Sequence, residues 1–193
     1  MKILFLNGSP RKNGFTIGAM KCIEKGISSE HTIEWIHAYD LTMKPCISCL
    51  QCRPNKECVF PKDDGHDAWH KIRSADAIII GSPNYFGNIS GPLKILIDRN
   101  LTAFEEIAAS GLEMPTPIHN GKKAVMVTAC NSDSPFSQLP TQSKGTLQAM
   151  EIALKAGGYN IIGSITIEGT ASKNEIPLEI QQQAKLLGMN LSL

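Results

Sequence analysis

The stretch Lys2 to Ile17, KILFLNGSPRKNGFTI, decides the fold. Ile3, Leu4, Phe5 and Leu6 form a short apolar run that Asn7 and Gly8 stop abruptly, as expected of a strand buried on both faces of a parallel sheet. Turn formers follow, and Thr16 then opens a helix-period series at Ile17, Ala19, Met20, Ile23 and Ile27. A strand, a small-residue loop and a helix N-terminus together make an anion site. The first backbone N–H groups of the helix have no intrahelical partner, its macrodipole adds partial positive charge, and Ser9 and Thr16 add hydroxyls. Spacing excludes two nucleotide motifs. Phe15 stands where a nucleotide triphosphatase loop needs Lys, and Ser9-Pro10 breaks G-x-G-x-x-G after Gly8. What remains suits one terminal phosphate, with an ordinary strand-to-helix turn as the alternative.

Outward from this unit, Thr32 to His37 predicts a less hydrophobic strand at a sheet edge. Residues 38–65 form an irregular, Cys-rich excursion, and Asp64 is expected to cap a helix through Ala68, Trp69 and Ile72, with Asp67 three residues on. Ala77 to Gly81 is a second buried strand, and SPNYFGNISGPLKILIDR (82–99) repeats strand, loop and helix, with Pro92 in the first helical turn. Residues 109–121 read as loop. Ala124 to Ala129 is the next strand, followed by a loop from Cys130 to Gln142 and a helix near Gly145 to Ala156. Tyr159 to Ile167 is the last strand and Pro177 to Leu187 the closing helix. Continuous apolar strands alternating with helices predict a parallel sheet covered on both faces, in one domain over 1–193. The loops at 8–16, 82–90 and 128–142 all leave strand carboxyl ends, where such sheets bind ligands.

Nineteen basic and eighteen acidic residues give a net charge of +1 without a basic block, which argues against nucleic acid and acidic membrane surfaces and for a small-molecule partner. No stretch approaches the roughly 20 apolar residues of a membrane span, and the chain reads as cytoplasmic. Cys46, Cys49, Cys52 and Cys58 fall within thirteen residues. In a reducing compartment such a cluster points to metal or redox chemistry before a disulfide framework. The C-x2-C-x2-C run with a fourth thiol nearby suits a four-iron cluster, while a zinc ion and bare thiols stay open. Cys22 and Cys130 read as small core residues. His66 and His70 are four apart as in a zinc-protease helix, but Asp67 replaces the Glu, so both are expected in solvent. His31, His37 and His119 show no evident partner.

Together, GSPRKNGFT, SPNYFGNISGPLKILIDR and C-x2-C-x2-C-x5-C resemble the NAD(P)H-dependent FMN reductases of flavodoxin-like fold, and more narrowly the iron-sulfur flavoproteins. The resemblance implies a doubly wound five-stranded sheet of order 2-1-3-4-5 with helices on both faces. It also implies an FMN phosphate surrounded by Ser9, Arg11, Phe15, Thr16 and Ile17, and an isoalloxazine ring wrapped by Pro83, Asn84, Tyr85, Phe86, Gly87 and Asn88, with Thr128 as a further contact. Two departures stand out: Phe15 replaces the Asn or Ser frequent there, and TACNSDSPFSQLP is bulkier than the usual Gly-rich loop.

Three functions follow. One is an oxidoreductase passing hydride from NAD(P)H through FMN to a small-molecule or protein acceptor, with no catalytic side chain required. Another is an electron carrier joining FMN to a 4Fe-4S cluster on the four cysteines. The third is a flavin- or thiol-based sensor. A homodimer or homotetramer is expected, because the helix from Pro92 carries more apolar surface than one sheet needs.

Overall fold

The computed structural model describes residues 1–108, 110 and 113–191. Five parallel strands, β1 (Lys2–Asn7), β2 (Thr32–His37), β3 (Ala77–Pro83), β6 (Lys123–Ala129) and β7 (Asn160–Ile167), lie in the order β2-β1-β3-β6-β7. Counted by sheet strand alone this is 2-1-3-4-5, the flavodoxin-like order. The remaining two strands, β4 (Glu105–Glu106) and β5 (Thr116–Pro117), form a two-residue antiparallel ribbon. Part of that ribbon falls within the segment read from sequence as loop; residues 109, 111 and 112 of the segment lie outside the described residues.

Side-chain alternation along each strand divides the core into two layers. Ile3, Phe5, Ile79, Val125 and Val127 face α1 (Phe15–Glu24) and α5 (Leu178–Leu191). Leu4, Leu6, Ile78, Ile80 and Met126 face α2 (Asp64–Ser74), α3 (Gly91–Arg99) and α4 (Ser143–Ala156). Right-handed crossovers produce this split: from β1 the chain winds one way to β2 and the other way to β3, so a crevice opens at the carboxyl ends of β1 and β3. Gly81 lets α1 lie close to that crevice, since a Cβ there would collide with Met20 and crowd Thr16.

The start of α2 corrects the expected cap. Asp63, not Asp64, is the N-cap: its Oδ1 accepts from Gly65 N at 3.0 Å, while His66 Nδ1 accepts from Asp63 N at 3.0 Å. His66 is therefore the reciprocal partner of the capping box. It is only 7% exposed, with Nε2 donating to the Cys58 carbonyl at 2.9 Å. His119 also departs from expectation. It lies 1% exposed, donates Nε2–H to Ala103 O at 2.7 Å and stacks on Tyr159 at 4.6 Å. Burial, with Lys122 and Arg73 adding positive charge against the Ala103 bond, pushes its pKa down to about 4. Among the described residues no helix is long and apolar enough to cross a membrane.

Candidate functional site: a cleft at the carboxyl edge

A cleft of about 600 Å³ lies where the loops after β1, β3 and β6 meet, a size usual for small-molecule sites. Its first wall is the start of α1. Gly14 is the N-cap and among the described residues no side chain caps the helix, so the N–H groups of Phe15, Thr16 and Ile17 stay available to a ligand. Ser9 and Thr16 line the cleft and are otherwise buried, at 8% and 2% exposure. Ser9 is held by its own backbone, which donates to Asn7 Oδ1 at 3.0 Å, and its Oγ accepts from Arg11 N at 3.3 Å. The loop thus gathers hydroxyls and backbone amides around a space with a helix dipole behind it, as a terminal phosphate requires. Arg11 and Phe15 line the same space; the Ile17 side chain turns instead into a neighbouring cleft.

The second wall is Pro83 to Asn88, folded as a tight turn. Tyr85 and Asn88 exchange two backbone hydrogen bonds at 3.0 Å, with Phe86 and Gly87 at the tip at φ of 53° and 74°. These positive angles are those of the two-residue hairpin turn whose twist matches the flanking chain. Asn84 braces the turn from beneath. Its Oδ1 accepts from Gly87 N at 2.9 Å and from Thr146 Oγ1 at 2.8 Å, and its Nδ2 donates to Gln142 Oε1 at 3.0 Å. Both ends of the amide are therefore engaged within the protein. Gly87 likewise has a packing role, because a Cβ would collide with the Pro140 carbonyl, and Gly87 and Asn88 do not line the cleft. Pro83, Asn84, Tyr85 and Phe86 do line it, and Phe86 projects into solvent.

The third wall comes from the β6 loop, with Cys130, Ser132 and Gln142 in the lining. Cys130 is buried at the cleft wall, its thiol donating to Ser132 O at 3.2 Å. Thr128 is not brought to the cleft. Strand alternation sets it on the α4 side, opposite Val127 and Ala129, where its Oγ1 is buried without a partner among the described residues. Ser132 and Gln142 were not singled out from sequence; the signal was their place in the third loop of that edge.

The four clustered cysteines lie elsewhere. Their loop leaves β2 at the carboxyl edge but is fastened down beside α3: Arg99 donates to Lys44 O at 2.6 Å, Thr102 Oγ1 to Lys56 O at 2.7 Å, and Ile107 N to Pro54 O at 2.9 Å. None of the four lines the cleft. All are free thiols, with Cys46 and Cys49 exposed. Burial raises the Cys52 pKa against its own backbone hydrogen bond, and the neighbouring Cys58, Cys46 and Cys49 add to the rise. The donor chemistry fits a cluster or zinc, yet among the described residues no three His, Cys, Asp or Glu side chains converge on one metal position.

A parallel sheet of this order, with an uncapped helix start, a hydroxyl-bearing loop and a braced turn around its switch-point cleft, defines a flavodoxin-like protein. The chain belongs to the NADPH-dependent FMN reductase family, whose family model matches residues 1–164. An iron-sulfur flavoprotein of Archaeoglobus fulgidus is 40% identical over 104 residues, covering 53% of this chain and 50% of that protein. An iron-sulfur flavoprotein of Clostridioides difficile is 27% identical over 186 residues, covering 95% of this chain and 74% of that one. The match spans about half the length of the Archaeoglobus protein and of a similar Methanocaldococcus jannaschii one. Among solved structures, an NAD(P)H:quinone oxidoreductase from Methanothermobacter marburgensis superposes with TM-score 0.73 at 19% identity, covering 100% of this chain and 96% of that one. An FMN-dependent NADH-azoreductase from Bacillus anthracis, in complex with FMN, gives 0.68 at 17% identity, covering 99% and 97%.

Proposed function

We propose that this chain is an FMN-dependent oxidoreductase that takes electrons from NAD(P)H and delivers them to a second acceptor. The observation that carries the reading is the open start of α1, three N–H groups without a side-chain cap beside the Ser9 and Thr16 hydroxyls, in a cleft of flavin size. The residues fit a mononucleotide and not a dinucleotide, since the loop lacks the glycines that let a pyrophosphate approach. Ser9, Thr16 and the amides of Phe15 and Ile17 would hold the phosphate, while Tyr85 and the Phe86 backbone would bound the ring. Bound FMN would supply the hydride chemistry between a reduced nicotinamide and the second acceptor. The protein's part is to orient: Asn84, locked by Gln142, Thr146 and Gly87, keeps the ring-bounding turn fixed, so order is present before the ligand arrives. NAD(P)H oxidation by the FMN-loaded protein, with a quinone or free flavin as acceptor, tests the reading; a loaded protein that oxidises neither NADH nor NADPH would contradict it.

Four free thiols on one anchored loop, together with the names of the curated relatives, favour a second reading in which the loop binds a 4Fe-4S cluster and the chain passes electrons to a protein partner. Anaerobic reconstitution followed by iron and sulfide analysis decides it, about four of each per chain being expected. We further propose a homodimer or homotetramer. Phe86 stands exposed at the cleft, and Phe136 and Leu139 stand exposed on the loop after β6 that supplies its third wall, apolar surface that a second copy would cover.

A further inference from the structure

A second cleft, of about 490 Å³, lies on the far side of the Ser9–Pro10 loop, between α1 and the carboxyl end of β2. Three features of its lining point to one class of ligand. The first is an ordered row of rings. Phe5 stacks on Trp35 at 4.4 Å and 20°, and Trp35 on His37 at 5.5 Å and 12°. Phe5 and Trp35 belong to the core, but His37 extends the row into the cleft. Its ring is fixed by Asn7, 2% exposed, whose Nδ2 donates to Nδ1 at 3.0 Å, while the Trp35 indole donates to Glu24 at 3.0 Å. Rings already locked lose little freedom when a planar group packs on them.

The second feature is charge. Lys12 and Lys21 border the cleft and form no ion pair among the described residues, and Asp40 has no cationic partner there either. The third is topology. A carboxylate at the carboxyl edge of such a sheet can accept from ribose hydroxyls, and here it would do so without the Gly-rich fingerprint of the dinucleotide folds. Asp40 is three residues beyond the end of β2, beside the loop that follows β1. Glu24 also lines the cleft, its Oε1 taken by the Trp35 indole, so the groups left for a ligand are the His37 ring, the Asp40 carboxylate and the two ammonium groups, which match a base, a ribose and a phosphate in turn.

We propose that this second cleft binds an adenine nucleotide, its base against the His37 ring at the end of the row, its ribose at Asp40 and its phosphate between Lys12 and Lys21. Two sources share that chemistry, the adenylate half of the reduced nicotinamide cosubstrate and a free adenine nucleotide. The first source rests on the oxidoreductase reading; the site itself does not. Both clefts share Ser9 and Pro10, and Tyr39 in one stands against Tyr85 in the other, so an occupant here touches the loops that shape the flavin cleft.

Calorimetric titration of the FMN-loaded protein with 5′-AMP and with ADP-ribose tests the site. One molecule of each is expected to bind per chain, and Lys21→Glu and Asp40→Ala, both surface changes, should each weaken binding about tenfold or more while FMN affinity stays the same. A matching rise in KM for NADH or NADPH at constant kcat identifies the cosubstrate as source, and an unchanged KM with weakened AMP binding identifies a free nucleotide. No binding of either probe at millimolar concentration, or binding that both variants leave intact, overturns the proposal. If FMN itself fails to load, the oxidoreductase reading falls, and the same titration on the flavin-free protein and its variants still decides the nucleotide site.

Discussion

Arg99 grips Asp63 with two parallel hydrogen bonds, Nη1 to Oδ2 at 3.1 Å and Nη2 to Oδ1 at 3.0 Å, and so ties the end of α3 to the cap of α2. The guanidinium is buried, lies 4.7 Å over the Phe60 ring and donates also to Lys44 O. Lys44 precedes the four cysteines, and Phe60 and Asp63 follow them, so one side chain closes the base of the thiol loop. Burial would raise the Asp63 pKa, but the Arg99 hydrogen bonds and charge outweigh it and hold the carboxyl below its usual range. Replacing Arg99 by Met leaves that carboxylate unpaired and is expected to cost about 3 kcal/mol. Urea unfolding measures the loss. Limited proteolysis should then cut between 44 and 60 while FMN affinity changes little; a variant as stable as the parent contradicts the assignment.

Gly87 adopts a φ of 74° with its Cα side against Pro140 and Thr141. Gly87→Ala should therefore weaken FMN binding by about 1 to 3 kcal/mol, from backbone strain together with displacement of the ring-bounding turn. Quenching of flavin fluorescence reports the affinity, and an unchanged value would mean that the turn does not contact the ligand.

Thr16→Val keeps the side-chain shape and removes one hydroxyl from the α1 loop. We expect FMN affinity to fall by about 1 kcal/mol or more, with riboflavin, which has no phosphate, bound equally by both proteins. Equal losses for the two ligands would move the hydroxyl away from the phosphate.

The buried His119 gives a signed pH dependence. Its folded pKa, near 4, lies below the ordinary 6.5, so between those values the unfolded chain binds the proton more tightly. Stability from this group is complete above about pH 6.5 and declines as pH falls toward 4, by up to about 3 kcal/mol. Urea midpoints at several pH values should show this slope in the parent and not in His119→Gln. A parallel slope in both would assign the acid sensitivity to other groups.

β1 and β3 were legible because each is a short apolar run with a turn former behind it, and the anion loop because its signals are local. What sequence did not reveal depends on distant partners. His37 meets Asn7 thirty residues away in the chain, and Gly87 meets Pro140 from the far side of α3 and β6. The α2 cap shifted by one residue because Asp63 and Asp64 are both competent, and the choice fell to Arg99 and to a His at the position where Glu or Gln is usual. Thr128 is different. Period-two alternation, Val127 and Ala129 one way and Thr128 the other, was readable from the start and already set it apart from the cleft. The thiol loop was legible as chemistry but not as position, since the bonds that draw it down beside α3 come from Arg99, Thr102 and Ile107.

On the proposed function, the loop from Ser9 to Ile17 receives the phosphate of a flavin mononucleotide. The most direct test is reconstitution of the purified chain with equimolar FMN and FAD, followed by chromatography of the flavin released on denaturation. One FMN per chain, with FAD excluded, is the expected result. Recovery of FAD, or of no flavin at all, would contradict it.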